Sequence, residues 1–227
     1  MKTVQNSPNK MSQSICGLPL QITSLTVRRG DQNVIEGLSL SLEAGDALVI
    51  MGPNGSGKST LMRVLAGFLP PASGEIRLGD IPYLPQDPAC PVELFWYAGA
   101  DGLSDQMSGI ESQTLFQSLR ASASERPGGD EDPFFIADII HQPVRQLSTG
   151  QRQRLALSCL IQASASRPSP GLWLLDEPDS GLDTEGRLAL EEQIDAHLNR
   201  GGRFVMVSHQ TRSPLFAHRT LRFEAAS

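Results

Sequence analysis

Residues Gly52–Thr60 read GPNGSGKST, the spacing G-x-x-x-x-G-K-[ST]. Glycines at such intervals let backbone N–H groups curl around phosphate oxygens, and a helix beginning here adds its positive N-terminal end. Lys58 then reaches the β- and γ-phosphates, and the Ser59 hydroxyl helps to hold Mg²⁺. Downstream, Leu172–Pro178 (LWLLDEP) is an apolar run ending in Asp176 and Glu177. The first carboxylate can reach a Mg²⁺ shell, and the second can polarise a water in line with a γ-phosphate. Taken alone, the same residues read as a strand followed by an acidic helix cap. Leu147–Gln151 (LSTGQ) opens the basic, amphipathic run RQRLALSCL. By itself, Ser148 is an ordinary helix cap.

These residues need a scaffold, and the flanking patterns supply one. Leu20–Val27 and Val34–Leu42 alternate apolar and polar residues, with Arg29-Gly30-Asp31 as the turn between two half-buried antiparallel strands. Ala47–Met51, Leu172–Leu175 and Phe204–Val207 are short, continuous apolar runs, the pattern of strands buried on both faces of a parallel sheet. Helical periodicity appears in Ser59–Leu69, Gln151–Ala163 and Thr184–Leu198. The order strand, Gly-rich loop, helix, strand predicts an α/β core with a small antiparallel sheet attached. Ala121–Pro133 and Ser164–Gly171 are rich in small and breaker residues and are expected to be exposed loops. No repeat of 20–50 residues is present.

Composition narrows the classes. The chain has 227 residues, with 19 Lys and Arg against 25 Asp and Glu, a net charge of −6. That length suits one large domain with subdomains and a core needing no disulfide or metal. The acidic balance argues against nucleic acid as the partner. The three cysteines (Cys16, Cys90, Cys159) are odd in number and widely spaced, so neither a disulfide framework nor a zinc site is indicated. No run approaches the ~18–20 apolar residues of a membrane span. Residues 1–17 are polar, without an apolar signal-peptide core, and are expected to form a disordered tail, Met11 being an alternative start.

Taken together, the chain resembles the ATP-binding subunits of ABC transporters. The phosphate loop is followed by Gln86 in Tyr83-Leu84-Pro85-Gln86, like the family's Q-loop, and LSTGQ stands where its signature motif stands. Ser180-Gly181-Leu182-Asp183 matches the D-loop, and Ser208-His209 follows FVMV as the switch histidine does. The likeness spans residues 20–223. Within that family the chain is most similar to the ATPase of the heme exporter in cytochrome c maturation. The features are Gly45-Asp46-Ala47-Leu48-Val49, Phe95-Trp96, Pro143–Ser148 (PVRQLS), Ala196–Gly202 (AHLNRGG) and Ser208-His209-Gln210. Short metal-importer ATPases share some of them, and a soluble ABC ATPase is a further alternative.

The resemblance implies a P-loop NTPase (RecA-like) α/β core with an antiparallel β subdomain and an α-helical subdomain. The expected division is 18–86 and 165–227 for core and β subdomain, and 87–164 for the helical subdomain with the signature. It implies ATP hydrolysis with Mg²⁺ by a dimer of such domains, a homodimer, working with integral membrane subunits at the cytoplasmic face of the inner membrane, or the matrix side of an organelle. Glu177 is the expected base, His209 orients water, Gln86 senses metal and water, and Lys58 stabilises transferred charge. Nucleotide is expected on Gly52, Pro53, Asn54, Gly55, Ser56, Gly57, Lys58, Ser59 and Thr60 of one chain. Ser148, Gly150, Gln151 and Asp183 complete the set, and the metal falls to Ser59, Gln86 and Asp176.

Some positions depart from the family pattern. Where most relatives have an aromatic ring on adenine near the end of the first hairpin, this chain has Arg28-Arg29. A guanidinium plane can stack in its stead, and two solvated turn arginines are the other reading. Thr149 replaces the commoner glycine of the signature. Only 27 residues separate Lys58 from Gln86, which predicts a trimmed hairpin. Finally, in a helical Val92–Tyr97 (VELFWY) the three consecutive rings could not share one core, so at least one is expected near the surface as a partner contact.

Overall fold

In the computed structural model, residues 17–99, 102–118, 132–165, 169–208 and 216–224 are described. Strand β1 (Leu20–Arg29) pairs antiparallel with β2 (Gln32–Leu42) across the expected turn, and with β4 (Ser73–Leu78) on its other side. Strand β5 (Ile81–Pro82) completes this sheet and is only two residues long, so the β4–β5 hairpin is indeed short.

The second sheet is parallel throughout, in the order β6 (Leu94–Tyr97), β7 (Leu172–Asp176), β8 (Arg203–Val207), β3 (Ala47–Met51), β9 (Arg219–Arg222). Successive residues of β7 and β8 face opposite sides, and both sides are covered. Leu172, Leu174, Val205 and Val207 pack with helix α1 (Lys58–Leu65) and the antiparallel sheet. Trp173, Leu175, Phe204 and Met206 pack with α3 (Thr149–Ala165) and α4 (Thr184–Asn199). Helix α2 (Gly109–Ser118) lies against α3 through Gln113–Ser158 and Gln117–Gln162 hydrogen bonds. The fold is the α/β P-loop NTPase fold expected from the sequence.

Three local readings change. Val92–Tyr97 is not helical: Leu94–Tyr97 is the edge strand β6, inside the stretch assigned to the helical subdomain. Strand alternation buries Phe95 and Tyr97 in one core and turns Trp96 to the other face, where it meets Phe68 edge-on. Helix α1 stops at Leu65 because Gly67 adopts φ +74°, with Phe68 N–H bonded to Arg63 O and Gly67 N–H to Val64 O. Helix α3 runs on through Ser164 and Ala165, which the sequence reading gave to a loop. Buried Ser164 accepts the Trp173 indole N–H at 2.8 Å, and that partner holds the last turn in place. Residues 166–168, 119–131 and 1–16 fall outside the described set.

His197 on α4 is 1% exposed, stacks on Trp173 at 4.0 Å and contacts Arg203 O through Nε2 at 3.1 Å. Gly202 makes room for it, since a β-carbon there would lie 2.2 Å from Nε2. Burial holds its pKa down, at about 4 instead of 6.5. A depressed histidine pKa keeps its stabilising effect above pH 6.5 and loses it as pH falls toward 4, because the unfolded chain takes the proton first. The loss should reach about 2 kcal/mol near pH 5. Urea midpoints at pH 7 and pH 5 should differ accordingly, and His197→Phe should flatten that slope.

Candidate functional site

The parallel sheet delivers the chemistry-bearing residues to the C-terminal ends of β3, β7 and β8. From β3 the chain turns through Gly52 (φ +148°), Gly55 (φ +80°) and Gly57 (φ +103°) before α1 begins at Lys58. Two of these glycines are sterically required. A β-carbon at Gly52 would lie 2.6 Å from Phe223 O, and one at Gly57 would lie 2.8 Å from Val34 Cγ1. Lys58 is 5% exposed, and its ammonium donates to Gly52 O at 2.9 Å and Pro53 O at 2.8 Å. The side chain therefore crosses the loop that its helix starts from. The Ser56 hydroxyl is buried in the same loop with no hydrogen-bond partner among the described residues.

A cleft of about 940 Å³ opens over this loop. Asn54 to Thr60 form its floor, and Glu177 enters from β7. Its remaining walls come from the β1–β2 hairpin, including Arg29 and Asn33, and from Arg222 and Phe223 at the end of β9. Glu177 is exposed and has φ +50°, an uncommon value for a side-chain-bearing residue, and its N–H bonds to Val207 O at 3.0 Å. That turn carries the carboxylate out of the sheet. Asp176 stays half-buried at the strand end. Beside it, Ser208 donates to Asp179 at 3.0 Å, and burial raises the Asp179 pKa.

A second cleft of about 960 Å³ shares Glu177 with the first and is walled by Asp176 at the end of β7, by Ala98 and Gly99 after β6, by Thr149 and Arg152 of α3, and by Ser180 and Gly181. LSTGQ is the start of α3. Ser148 N–H donates to Gln151 Oε1 at 2.9 Å, and Gln151 N–H to Ser148 Oγ at 3.3 Å, a reciprocal capping box. Within one chain, Ser148, Gly150 and Gln151 do not border the cleft over the phosphate loop.

Two expected site residues are held elsewhere. The Gln86 amide donates to Ala66 O at 2.7 Å, just past the C-terminal end of α1. Eight residues of helix, ~12 Å, separate that end from the phosphate loop. Its partner is a carbonyl that the Gly67 turn leaves open, so the Gln86 amide nitrogen caps the helix, and Gln86 lines neither of the two clefts. The segment that does leave the sheet beside Asp176 is Ala98-Gly99. Asp183 is the N-cap of α4, accepting Gly186 N–H at 2.8 Å, and both its oxygens accept from Arg154 Nη2, at 2.6 and 2.5 Å. The Arg154 guanidinium holds its carboxyl below the usual range, with the Gly186 bond adding to the effect. His209 lies outside the described residues. The sequence reading missed Arg222 and Phe223, since the polar strand β9 (RTLR) that leads to them carries no periodic apolar signal, and it read Val34 only as a strand residue.

The fold has known counterparts. An ABC transporter ATP-binding protein from Pyrococcus furiosus superposes with TM-score 0.73 at 21% identity, over 90% of this chain and 97% of that one. A dimeric ATP-binding cassette in a post-hydrolysis state, bound to ADP and phosphate, gives 0.69 at 21% identity, over 90% and 95%. The family profile described as ABC transporter matches residues 35–180. The cytochrome c biogenesis ATP-binding export protein CcmA of Rhizobium meliloti is 39% identical over 84% of this chain and 91% of its own length. CcmA of Novosphingobium aromaticivorans is 38% identical over 86% and 90%. CcmA of Cupriavidus necator is 34% identical over 95% and 93%. With the profile covering more than half of the chain and these relatives nearly all of it, the chain belongs to the ABC transporter family, as an ATPase subunit.

Proposed function

We propose that this chain hydrolyses ATP to drive an exporter serving cytochrome c biogenesis, with heme as the cargo. The observation that carries the reading is the cleft in which buried Lys58, the orphaned Ser56 hydroxyl and Glu177 converge. The names of the CcmA relatives support the export role. A metal importer or a soluble ABC ATPase is the alternative. ATP turnover measured alone and with co-purified membrane subunits separates them: stimulation by the membrane partner is expected, and c-type cytochromes should fail to mature when the chain is deleted.

The loop N–H groups and the start of α1 bind the phosphates, and Lys58 exchanges its two carbonyl partners for phosphate oxygens. The donors near the γ-position, the Ser59 hydroxyl and the Asp176 carboxylate, are hard oxygens and fit Mg²⁺, which takes few protein ligands and keeps phosphate and water. Bound there, Mg²⁺ would neutralise charge developing on the phosphates. The Gln86 amide nitrogen is held by Ala66 O, and its carboxamide oxygen is the atom that would join that shell. Glu177 accepts the proton of the attacking water, and His209, following β8, orients it. Because LSTGQ does not border the cleft of its own chain, the second wall comes from a partner chain: its Ser148 and the N-terminal end of its α3 meet the γ-phosphate. Asp183 acts there indirectly, by fixing the D-loop to α3 through Arg154. The nucleotide then ties two domains together, which turns its hydrolysis into motion at the cytoplasmic face of the membrane. Among the described residues no helix is long and apolar enough to cross a membrane, so the transport path is left to integral membrane partners.

Two sets of variants check this. Glu177→Gln should keep ATP binding and cut turnover by roughly 10²–10⁴-fold, with a long-lived dimer visible by size exclusion in ATP. Parent-like turnover would remove Glu177 as the base. Lys58→Ala should weaken ATP binding by about 10–100-fold, whereas Ser148→Arg should bind ATP as a monomer and fail to close. Mixing the two should restore at most one intact site per dimer, and fuller activity would mean that the site is not shared.

A further inference from the structure

Glu177 holds a backbone conformation that a residue with a side chain rarely keeps unaided. Its φ of +50° lies in the left-handed region, and such a residue persists where its surroundings over-determine it. The turn that carries it, residues 177–180, is closed by Ser180 N–H to Glu177 O at 3.2 Å. The Glu177 N–H to Val207 O bond fixes where the turn leaves the sheet. It does not fix the two peptide units that follow, and these decide where the Glu177 carboxylate is held.

Two buried side chains from different elements fix those units. From α3, Gln153 is 6% exposed, and its amide donates to Pro178 O at 2.8 Å. From the end of β8, Ser208 is 4% exposed, and its hydroxyl donates to Asp179 Oδ2 at 3.0 Å. Both donors have fixed positions of their own. Gln153 Oε1 lies 3.1 Å from where a β-carbon on Gly181 would stand, so the carboxamide is packed against the chain beyond the turn. Ser208 N–H bonds to Ile50 O at 3.2 Å, on the strand that opens into the phosphate loop. The other links from α3 act further along: Gly150 packs on Gly181 O, and Arg154 holds Asp183. Gln153 reaches back to the turn itself.

Resting on the assignment of Glu177 as the base, we propose that Gln153 and the Ser208–Asp179 pair are positioning residues, which clamp the strained turn from α3 and from β8 and so hold the Glu177 carboxylate in the cleft over the phosphate loop. Pro178 is buried, and a buried carbonyl requires a donor. An apolar side chain of the same volume in place of Gln153 fills the space but leaves Pro178 O unpaired. The turn is then free to relax out of its strained conformation, and the carboxylate moves with it. Binding of the nucleotide rests on Lys58 and the loop, which this clamp does not hold. Its loss is therefore felt in the chemical step.

The test is steady-state hydrolysis and ATP binding by the full chain, arranged as double-mutant cycles with Glu177→Gln. Gln153→Met removes the donor and keeps the volume. It should lower kcat by roughly 10–100-fold, the cost of misplacing a reacting group by about an ångström. ATP affinity and ATP-driven dimer formation should stay within about 2-fold of the parent, which separates the chemical step from binding. Asp179→Ala should act in the same direction, and Asp179→Asn, which keeps an acceptor for Ser208, should restore turnover to near the parent rate. Placed on Glu177→Gln, neither Gln153→Met nor Asp179→Ala should slow hydrolysis by more than about 3-fold further, because residues that act through the base have nothing left to position.

Parent-like kcat in Gln153→Met, a loss carried by ATP affinity or dimer formation, or losses that multiply with Glu177→Gln overturns the proposal. Should Gln153→Met not fold, Asp179→Ala and Asp179→Asn decide by the same readouts, and equal turnover in those two overturns it. Glu177→Gln itself separates the two readings. Parent-like turnover there means that the base is misassigned. Slow turnover there, with parent-like turnover in Gln153→Met and Asp179→Ala, leaves the base standing and removes only the clamp.

Discussion

Three separate pieces of chain meet at two glycines that leave no space for a side chain. At Gly52 the neighbour is the backbone of Phe223, and at Gly57 it is Val34 from the first hairpin. This close approach welds the end of β9 and the strand β2 onto the phosphate loop. Lys58 is tied into the same knot by the Gly52 and Pro53 carbonyls. A methyl group at either glycine would push apart the walls of the cleft, so the shape of the site rests on backbone contact more than on any pair of charges.

The parallel sheet is what brings Asp176 and Glu177 to the same edge. Strands β7, β8 and β3 run side by side in one direction, so their C-terminal ends, with LLDE, VS and MG, fall in a row. Both faces of the sheet are sealed, one by α1 and the antiparallel sheet, the other by α3 and α4. Each helix is then fixed at an end that matters for the site. Helix α3 begins at its Ser148–Gln151 capping box, α4 begins at Asp183, and Arg154 links the two starts. The signature segment and the loop after Glu177 are in this way set as one rigid corner. In the proposed function, a partner domain that engages LSTGQ would move that corner as a unit.

Sequence alone determined the α/β class, the phosphate loop, the DE pair and the family, because each is a local pattern. A buried parallel strand must be continuously apolar, a phosphate loop must carry glycines at set intervals, and a capped helix must show its cap. The same logic misread Phe95-Trp96-Tyr97, where four residues are too few to tell a strand's period from a helix's. Pairing with β7 decided it, a contact between residues far apart in the chain.

Tertiary structure alone decided which polar side chains are free to act. Gln86 stands in a sequence context that suits a metal sensor, yet the carbonyl left open beyond α1 claims its amide. Asp183 is claimed by Gly186 and Arg154. Arg28 and Arg29 are neighbours in sequence, but only one finds Asn33 and only the other faces the cleft. A carboxamide, carboxylate or guanidinium has the same chemistry wherever it stands. Whether a hydrogen-bonding partner reaches it first depends on three-dimensional neighbours, and no residue spacing encodes them.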